Sequence, residues 1–181
     1  MRRLRRKPGE LCGSGRFSTG PPLFPALTLA GMRIALASDE PYAVHNVVLA
    51  ELKRRGHEVL RFGAIRSGKE EPWADVAAQA AQSVASGEND EGIFFCWTGT
   101  GICMAANKVF GVRAALCGDP GTAAGARIWN HANVLCLSNR TLSSDMSKEI
   151  LAAWFDTERG DQGTQGVEIL RRMDAELKRG R

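Results

Sequence analysis

The residues with the clearest chemical potential lie at 96–101, where CWTGTG joins a thiol to a glycine-rich turn. The thiol stands near the end of the most apolar stretch of the chain, EGIFFCW, and a helical pattern follows the turn. Backbone N–H groups in such a turn, together with a helix N-terminus, stabilise negative charge. Such groups lower the pKa of a nearby thiol and could hold the oxygen of a developing enediolate. A cysteine in an apolar run is commonly core packing, and many α/β turns need glycine, so only the combination indicates a proton-transfer site.

Strands and helices must position this turn. Short apolar runs predict strands at residues 33–38, 57–62, 91–97, 112–117 and 133–137. Helical spacing of apolar residues and capping signals predict helices at residues 43–55, 73–85, 102–109, 120–130, 143–155 and 167–178. Connections too long for hairpins imply an α/β fold, a three-layer doubly wound (Rossmann-like) sheet of five parallel strands. Ligands bind beyond the carboxyl ends of the strands of such sheets, so the candidate site comprises residues 38–40, 96–101, 118–119 and 138–140.

The composition of the 181-residue chain fits a single globular domain, with 44% apolar and 24% charged residues. The basic residues behind the net charge of +4 concentrate at the two ends, and MRRLRRK opens the chain. Basic ends of this kind are more often solvated tails than nucleic-acid sites, and no apolar stretch approaches the length of a membrane helix. Five cysteines without a CxxC spacing predict reduced thiols in a cytoplasmic protein, with no metal site and no cofactor.

Residues 1–31 differ from the rest of the chain. They are rich first in arginine and then in glycine, serine and proline, and Pro22 and Pro25 interrupt the apolar run that follows. We expect a disordered extension or a translated leader here, with a signal or transit peptide as the alternative. Met32 opens the run MRIALASD, which has the pattern of a buried strand. A compact domain is therefore predicted at residues 32–181, ending in an amphipathic helix.

The block at residues 92–117, GIFFCWTGTGICMAANKVFGVRAALC, resembles the ribose-5-phosphate isomerase B and galactose-6-phosphate isomerase family. The similarity extends upstream through RRGHEVLRFG to MRIALASD, and downstream through Asp119-Pro120, Arg127 and ANVL to Arg140. It covers the chain from residue 32 almost to the end. The resemblance implies an aldose–ketose isomerase that acts on a sugar or sugar phosphate.

The resemblance also implies a role for each matching residue of the reaction centre. Cys96 matches the general base that moves a proton between C1 and C2 of the sugar through a cis-enediolate. Thr98, with the amides of Gly99 and Gly101, would bind the enediolate oxygens. Asp39 matches a residue that contacts sugar hydroxyls and assists ring opening. This set is chemically coherent, because a 1,2-proton shift needs a base near the carbon and an oxyanion pocket.

The residues expected to bind the rest of the substrate differ in part from the family pattern. Asn130 and Arg140 match residues that line the family's pocket, and members pair so that both subunits complete each site, which implies a homodimer or tetramer. Glu40, however, stands where the family has a phosphate-binding histidine, although its position still makes it a predicted substrate-binding residue. Gln162 and Gly166 stand where two phosphate-binding arginines are expected. A dianionic phosphate facing a carboxylate without these arginines would be poorly stabilised.

Other residues could compensate for the missing groups. Arg66, Lys69 or Arg159 could replace the missing cations. Trp129 takes the place of the family's ring-opening histidine, and His131, two residues further on, is the candidate to substitute for it. A substrate that is mostly open-chain, such as a four-carbon sugar, would not need its ring opened, and we therefore hypothesise a tetrose.

Two other functions remain open at this point. The TGTG turn is compatible with a nucleotide- or flavin-binding module, although the full GxGxxG spacing is absent. The chain could also be a non-catalytic protein on the same scaffold. Trp97, in place of a family glycine, would narrow the pocket. Cys103 is expected to be core packing, and His45 and His57 are expected to be solvated or to have hydrogen-bond partners.

Overall fold

A computed structural model describes residues 31–179 and confirms the predicted α/β class. The strands are β1 (Arg33–Ser38), β2 (Glu58–Gly63), β3 (Glu91–Cys96), β4 (Ala114–Leu116) and β5 (Val134–Ser138). The helices are α1 (Val44–Arg54), α2 (Ala64–Ser67), α3 (Trp73–Ala85), α4 (Thr100–Ala106), α5 (Pro120–Asn130), α6 (Ser144–Asp156) and α7 (Thr164–Arg179), with a 3₁₀ turn at Asp161–Gly163. The extension predicted at residues 1–31 lies outside the described residues, apart from Gly31.

The five strands form one parallel sheet that is covered on both faces. Alternate strand residues point to opposite faces because the side-chain period of a strand is two. Ile93 and Phe95 pack with α1, α5 and α6, whereas Phe94 and Cys96 pack with α3 and α4. The sheet is therefore the middle of three layers, and the Cys96 side chain lies on the layer of α3 and α4.

The sheet topology explains where a site can form. The strand order is β2-β1-β3-β5-β4, so the chain moves outward from β1 to β2 and then returns to the other side of β1. Helices that leave in opposite directions open a crevice at such a switch point. The register pairs Ser38 with Phe95 and Cys96 with Ser138, so β1, β3 and β5 end at the same edge. This carboxyl edge carries Asp39, Cys96 and Arg140.

Several boundaries differ from the predicted ones. The third strand ends at Cys96, not Trp97, because the Trp97 carbonyl accepts hydrogen bonds from the loop after β5. The fourth strand is reduced to three residues, and α4 begins at Thr100 and ends early, where the Asn107 side chain binds the Cys103 carbonyl. The short α2 and the 3₁₀ turn were not predicted. Within residues 31–179, no helix has both the length and the apolar character needed to cross a membrane.

Candidate active site

The loop after β5 fixes the turn that carries the thiol. The Cys96 carbonyl accepts hydrogen bonds from the Gly99 amide at 3.2 Å and the Asn139 amide at 3.0 Å. The Trp97 carbonyl accepts from the Arg140 amide at 3.0 Å and from the Ser138 hydroxyl at 2.9 Å. Four hydrogen bonds thus hold the turn closed and against its neighbour. Cys96 itself is only 5% exposed, and its backbone has little freedom to move.

Glycine is required at the start of α4. Gly99 has a φ of 76°, in the left-handed region that side chains rarely adopt. A Cβ at this position would lie 2.5 Å from a Leu116 methyl and 3.0 Å from the Leu137 carbonyl group. At Gly101, a Cβ would lie 3.2 Å from the Trp73 ring, so this tryptophan forms one wall beside the turn.

Thr98 faces an open cleft on the side of the turn towards β4 and β5. Its hydroxyl lies 2.6 Å from the Thr100 hydroxyl, and both side chains are exposed. The cleft has a volume of about 420 Å³. It is lined by Thr98, Leu116, Cys117, Gly118, Thr122, Ser138, Arg140, Thr141 and Leu142. The cleft thus brings the predicted residues Thr98 and Arg140 together, with hydroxyl groups that can bind a polyol.

Asp39 and Glu40 lie at the same edge, after β1. Asp39 is 8% exposed, and its Oδ1 has no hydrogen-bond partner among the described residues. Burial raises the pKa of this carboxyl, and the nearby Glu40 carboxylate adds to the effect. The Glu40 carboxylate accepts a hydrogen bond from the Tyr42 hydroxyl at 3.1 Å. Asp39 therefore has a free acceptor for a ligand hydroxyl, while Glu40 is held by an aromatic neighbour.

A buried polar network links the ends of β1 and β5. The side-chain amide of Asn139 donates to the Ser38 hydroxyl at 3.2 Å, and this hydroxyl donates to the Glu40 backbone carbonyl at 2.7 Å. The other end of the Asn139 side chain lies 2.8 Å from His45 Nε2. Burial lowers the pKa of His45. His45 thus has hydrogen-bond partners, as expected, whereas the supporting roles of Tyr42 and Asn139 were missed; their positions at strand ends were the only available signal.

Four thiols lie near the turn, and their environments differ. Cys96, Cys103, Cys117 and Cys136 are all free. A hydrogen bond from the Cys136 thiol, aided by Asn107, lowers the pKa of Cys103 to about 7. Burial raises the pKa of Cys117 to about 12 and that of Cys136 well above its usual value. Cys103 is half-buried against the core, as expected, but its acidified thiol could not be predicted from the sequence.

The structure does not bring Asn130 to the other predicted site residues within one chain. The helix α5 begins after β4, at the carboxyl edge, and its 11 residues lead back to the amino edge. Asn130 lies there beside Asn107, Arg113 and Leu170, around a cavity of about 390 Å³. Trp129 is also exposed at this end of the helix. At 1.5 Å per residue, α5 places Asn130 about 16 Å from the edge that holds Cys96.

The residues that could replace the missing histidine and cations lie at different edges of the sheet. His131 Nε2 lies 2.8 Å from the Gly160 carbonyl, so its ring is tied to the loop before α7. Arg159 binds the buried Glu91 carboxylate at 2.6 Å, at the amino edge of β3. Neither side chain reaches the turn of its own chain. Arg66 and Lys69 are exposed near the carboxyl edge, and neither forms an ion pair with another described residue.

Comparisons with known proteins identify the family. Residues 34–170 match the family described as Ribose/Galactose Isomerase. The D-erythrulose-4-phosphate isomerase of Pectobacterium atrosepticum is 35% identical over 128 residues, covering 70% of this chain and 84% of that protein. The ribose-5-phosphate isomerase B of Escherichia coli is 36% identical over 140 residues, covering 76% and 93%.

Solved structures show the same fold. The ribose-5-phosphate isomerase B of Clostridium thermocellum superimposes with a TM-score of 0.75 at 34% identity, covering 81% of this chain and 99% of that one. The enzyme of Mycoplasma genitalium with bound ribulose-5-phosphate gives 0.74 at 32% identity, with the same coverage. The predicted isomerase class is thereby confirmed, and the chain belongs to the ribose/galactose isomerase family.

Proposed function

We propose that this chain interconverts an aldose and a ketose through a cis-enediolate, with Cys96 as the general base. The observation that carries the proposal is the position of the thiol. It lies at the carboxyl end of the central strand, in a turn fixed by four hydrogen bonds to backbone carbonyls, between Asp39 after β1 and Arg140 after β5. Substrate carbons placed over this turn would meet a base, hydroxyl donors and the backbone amides at the start of α4.

Each part of the reaction can be assigned to a group of the chain. The Cys96 thiolate removes the proton from the carbon next to the carbonyl, and the resulting thiol, whose proton exchanges with solvent, donates a proton to the former carbonyl carbon. A proton also passes from one oxygen of the enediolate to the other. Thr98 and the amides of Gly99 and Gly101 hold the oxygens that carry negative charge in the enediolate. The unpartnered Asp39 Oδ1 accepts a substrate hydroxyl. Glu40 and Arg140 contact the part of the sugar that does not react.

We propose that a second copy of the chain supplies Asn130. Within one chain, Asn130 lies at the edge opposite the thiol, so a site that uses both needs a homodimer or tetramer. We also propose a cytoplasmic location, supported by the free thiols. Sharing of one site between two subunits can be tested by mixing the Asn130→Ala and Cys96→Ala chains. Each mixed dimer would contain one intact site, so isomerase activity should return.

We propose a four-carbon sugar as the substrate. Trp129, which replaces the family's ring-opening histidine, has no group that transfers protons at neutral pH, and His131 is tied to Gly160. A tetrose needs no such group, since it is largely open-chain. The similarity to a D-erythrulose-4-phosphate isomerase supports this length of substrate. Much faster turnover of cyclic pentoses or hexoses than of tetroses would overturn the hypothesis.

The test of the mechanism compares Cys96→Ala with Cys103→Ala, a matched thiol on the neighbouring helix. We expect Cys96→Ala to lower kcat about 10²–10⁴-fold, the usual contribution of a general base, and Cys103→Ala to change it less than about threefold. Reactions run in deuterated water should place deuterium on the product carbon in the wild type. An active Cys96→Ala enzyme, or a product without deuterium, would exclude Cys96-mediated proton transfer.

A further inference from the structure

The rim of the candidate site beside β1 is acidic. Asp39 and Glu40 are adjacent in sequence, and the Glu71 amide donates to the Asp39 carbonyl at 2.9 Å, which brings the Glu70-Glu71 loop to the same place. The carboxylates of Glu40, Asp39 and Glu70 all raise the pKa of Tyr42, after the effect of its partial burial. Three carboxylates therefore act on one small region next to the thiol turn.

No cation is paired with this acidic region among residues 31–179. The ion pairs of the described chain use neither Asp39 nor Glu40. Arg66 and Lys69, which precede the Glu70-Glu71 loop, are exposed and form no ion pair with another described residue. Arg140 lines the cleft on the opposite side of the turn. A dianionic group placed next to Glu40 would therefore meet the repulsion of a carboxylate that no cation among the described residues neutralises.

Aromatic rings cover the same rim. The Tyr42 ring lies 6.2 Å from the Trp97 ring, and Trp97 is the residue directly after the thiol. Trp97 is 49% exposed and Trp73, against Gly101, is 46% exposed. Aromatic faces pack well against the C–H groups of a neutral sugar, while carboxylates accept hydrogen bonds from its hydroxyls.

The buried acceptor of Asp39 is independent support for a hydroxyl ligand at this rim. Asp39 is more than nine-tenths buried, and its Oδ1 lacks a partner within the described chain. A buried carboxylate oxygen without a partner costs free energy, which a ligand O–H group would recover. The phosphate group of a sugar ester offers no donor once it is fully ionised, whereas the terminal hydroxyl of a free sugar offers one.

We propose that the site takes an unphosphorylated sugar, whose terminal hydroxyl end lies between Trp97, Tyr42 and Asp39, and that Glu40 is the residue that rejects phosphorylated sugars. This inference rests on the proposed isomerase function and specifies its substrate class. Glu40 acts by its charge, and Tyr42 holds that charge in place through its hydroxyl.

The test compares D-erythrose with D-erythrose 4-phosphate, and D-ribose with D-ribose 5-phosphate, in the full-length enzyme. We expect kcat/KM for the free sugar to exceed that for its phosphate ester by about 100-fold, the scale of a like charge placed against a charged ligand. Glu40→Gln should narrow this ratio at least tenfold by raising the value for the ester. Glu58→Gln, which removes an exposed carboxylate from the start of β2 at the amino edge, is the matched control and should leave the ratio unchanged.

Binding provides a second measurement that does not depend on turnover. Calorimetric titration of the Cys96→Ala enzyme should give tighter binding of the free sugar than of its ester. Preference for the phosphate ester in both assays would overturn the inference and leave the isomerase proposal standing. Preference for the free sugar in binding, without turnover by the wild type, would support the inference and overturn the isomerase proposal. If Glu40→Gln leaves the ratio of kcat/KM for the free sugar to kcat/KM for its ester unchanged, Glu40 is not the cause of the preference. The unfolding midpoint of each variant shows whether it folds.

Discussion

From the geometry of the turn we expect Gly99→Ala to lower both the stability of the domain and kcat. Gly111→Ala is the matched control. Both glycines have left-handed backbones, with φ of 76° and 82°. An alanine in this conformation costs about 1–2 kcal/mol, of which about 0.4–1 kcal/mol is recovered because the unfolded chain becomes less flexible. A Cβ at Gly111 would meet nothing within 4 Å. The control therefore carries the backbone cost alone.

Gly99→Ala carries a second cost. Its Cβ would lie 2.5 Å from the Leu116 side chain, which can move, and 3.0 Å from the Leu137 carbonyl group, which is held within β5. Overpacking of this kind costs about 1–3 kcal/mol. We expect Gly99→Ala to be less stable than Gly111→Ala by that amount. In a domain of this size, each kcal/mol corresponds to about 2–4 °C in Tm.

The assays are urea unfolding for both variants and isomerase activity well below the unfolding midpoint. Relief of the contact with Leu137 requires the turn to move by a few tenths of an ångström or more, which displaces Thr98 and the amides that face the substrate. Misplacement of about 1 Å can cost 10²-fold in rate, so kcat should fall clearly in Gly99→Ala and little in Gly111→Ala. Equal unfolding midpoints for the two variants would refute the steric argument, and full activity of Gly99→Ala would refute the link to the site.

Two further predictions concern charged and reactive groups outside the turn. Glu91→Gln should destabilise the domain by about 3–5 kcal/mol in urea unfolding, because buried Arg127 loses its partner, whereas Asp90→Asn at an exposed pair should cost at most about 1 kcal/mol; similar values would contradict this. Alkylation of Cys103 by iodoacetamide should rise through a midpoint near its pKa of about 7, since the thiolate is the nucleophile and dominates above that pH. Cys117, with a pKa of about 12, should stay unreactive up to pH 9, and peptide mass spectrometry would show any reversal of this order.

The buried strands could be predicted because their side chains are apolar on both faces. The run around Ile93 and Phe95 is covered by helices on each side, and such strands are near-continuous apolar stretches in the sequence. Their exact ends depend on contacts that sequence spacing does not show. The strand stops at Cys96 because the backbone amides of Asn139 and Arg140, more than 40 residues later, donate hydrogen bonds to the carbonyls of Cys96 and Trp97. Local pattern cannot give that boundary.

The charged cluster at the amino edge was not predictable for the same reason. Glu91 opens a strand pattern and resembles a solvated end, yet it is 1% exposed. Its partners are Arg127, Trp154 and Arg159, which lie 36 to 68 residues away in sequence. Only the return of α5 and α6 to the amino edge brings them together. The position of Asn130 depends on the same feature: the resemblance assigns it to the pocket, and the direction of α5 shows that its own chain does not bring it there.

Different hydrogen bonds hold the Cys96 turn and the Glu40 carboxylate at the carboxyl edge. The Cys96 turn is held by main-chain donors from the loop after β5, and Ser38 supports residue 40 through its backbone carbonyl. The Glu40 side chain contributes to neither and is bound only by Tyr42 among the described residues. A change of side chain at position 40 can therefore alter the charge that the substrate meets without moving the thiol. If the proposed roles hold, a substitution at position 40 would change substrate preference and leave the proton transfer at Cys96 intact.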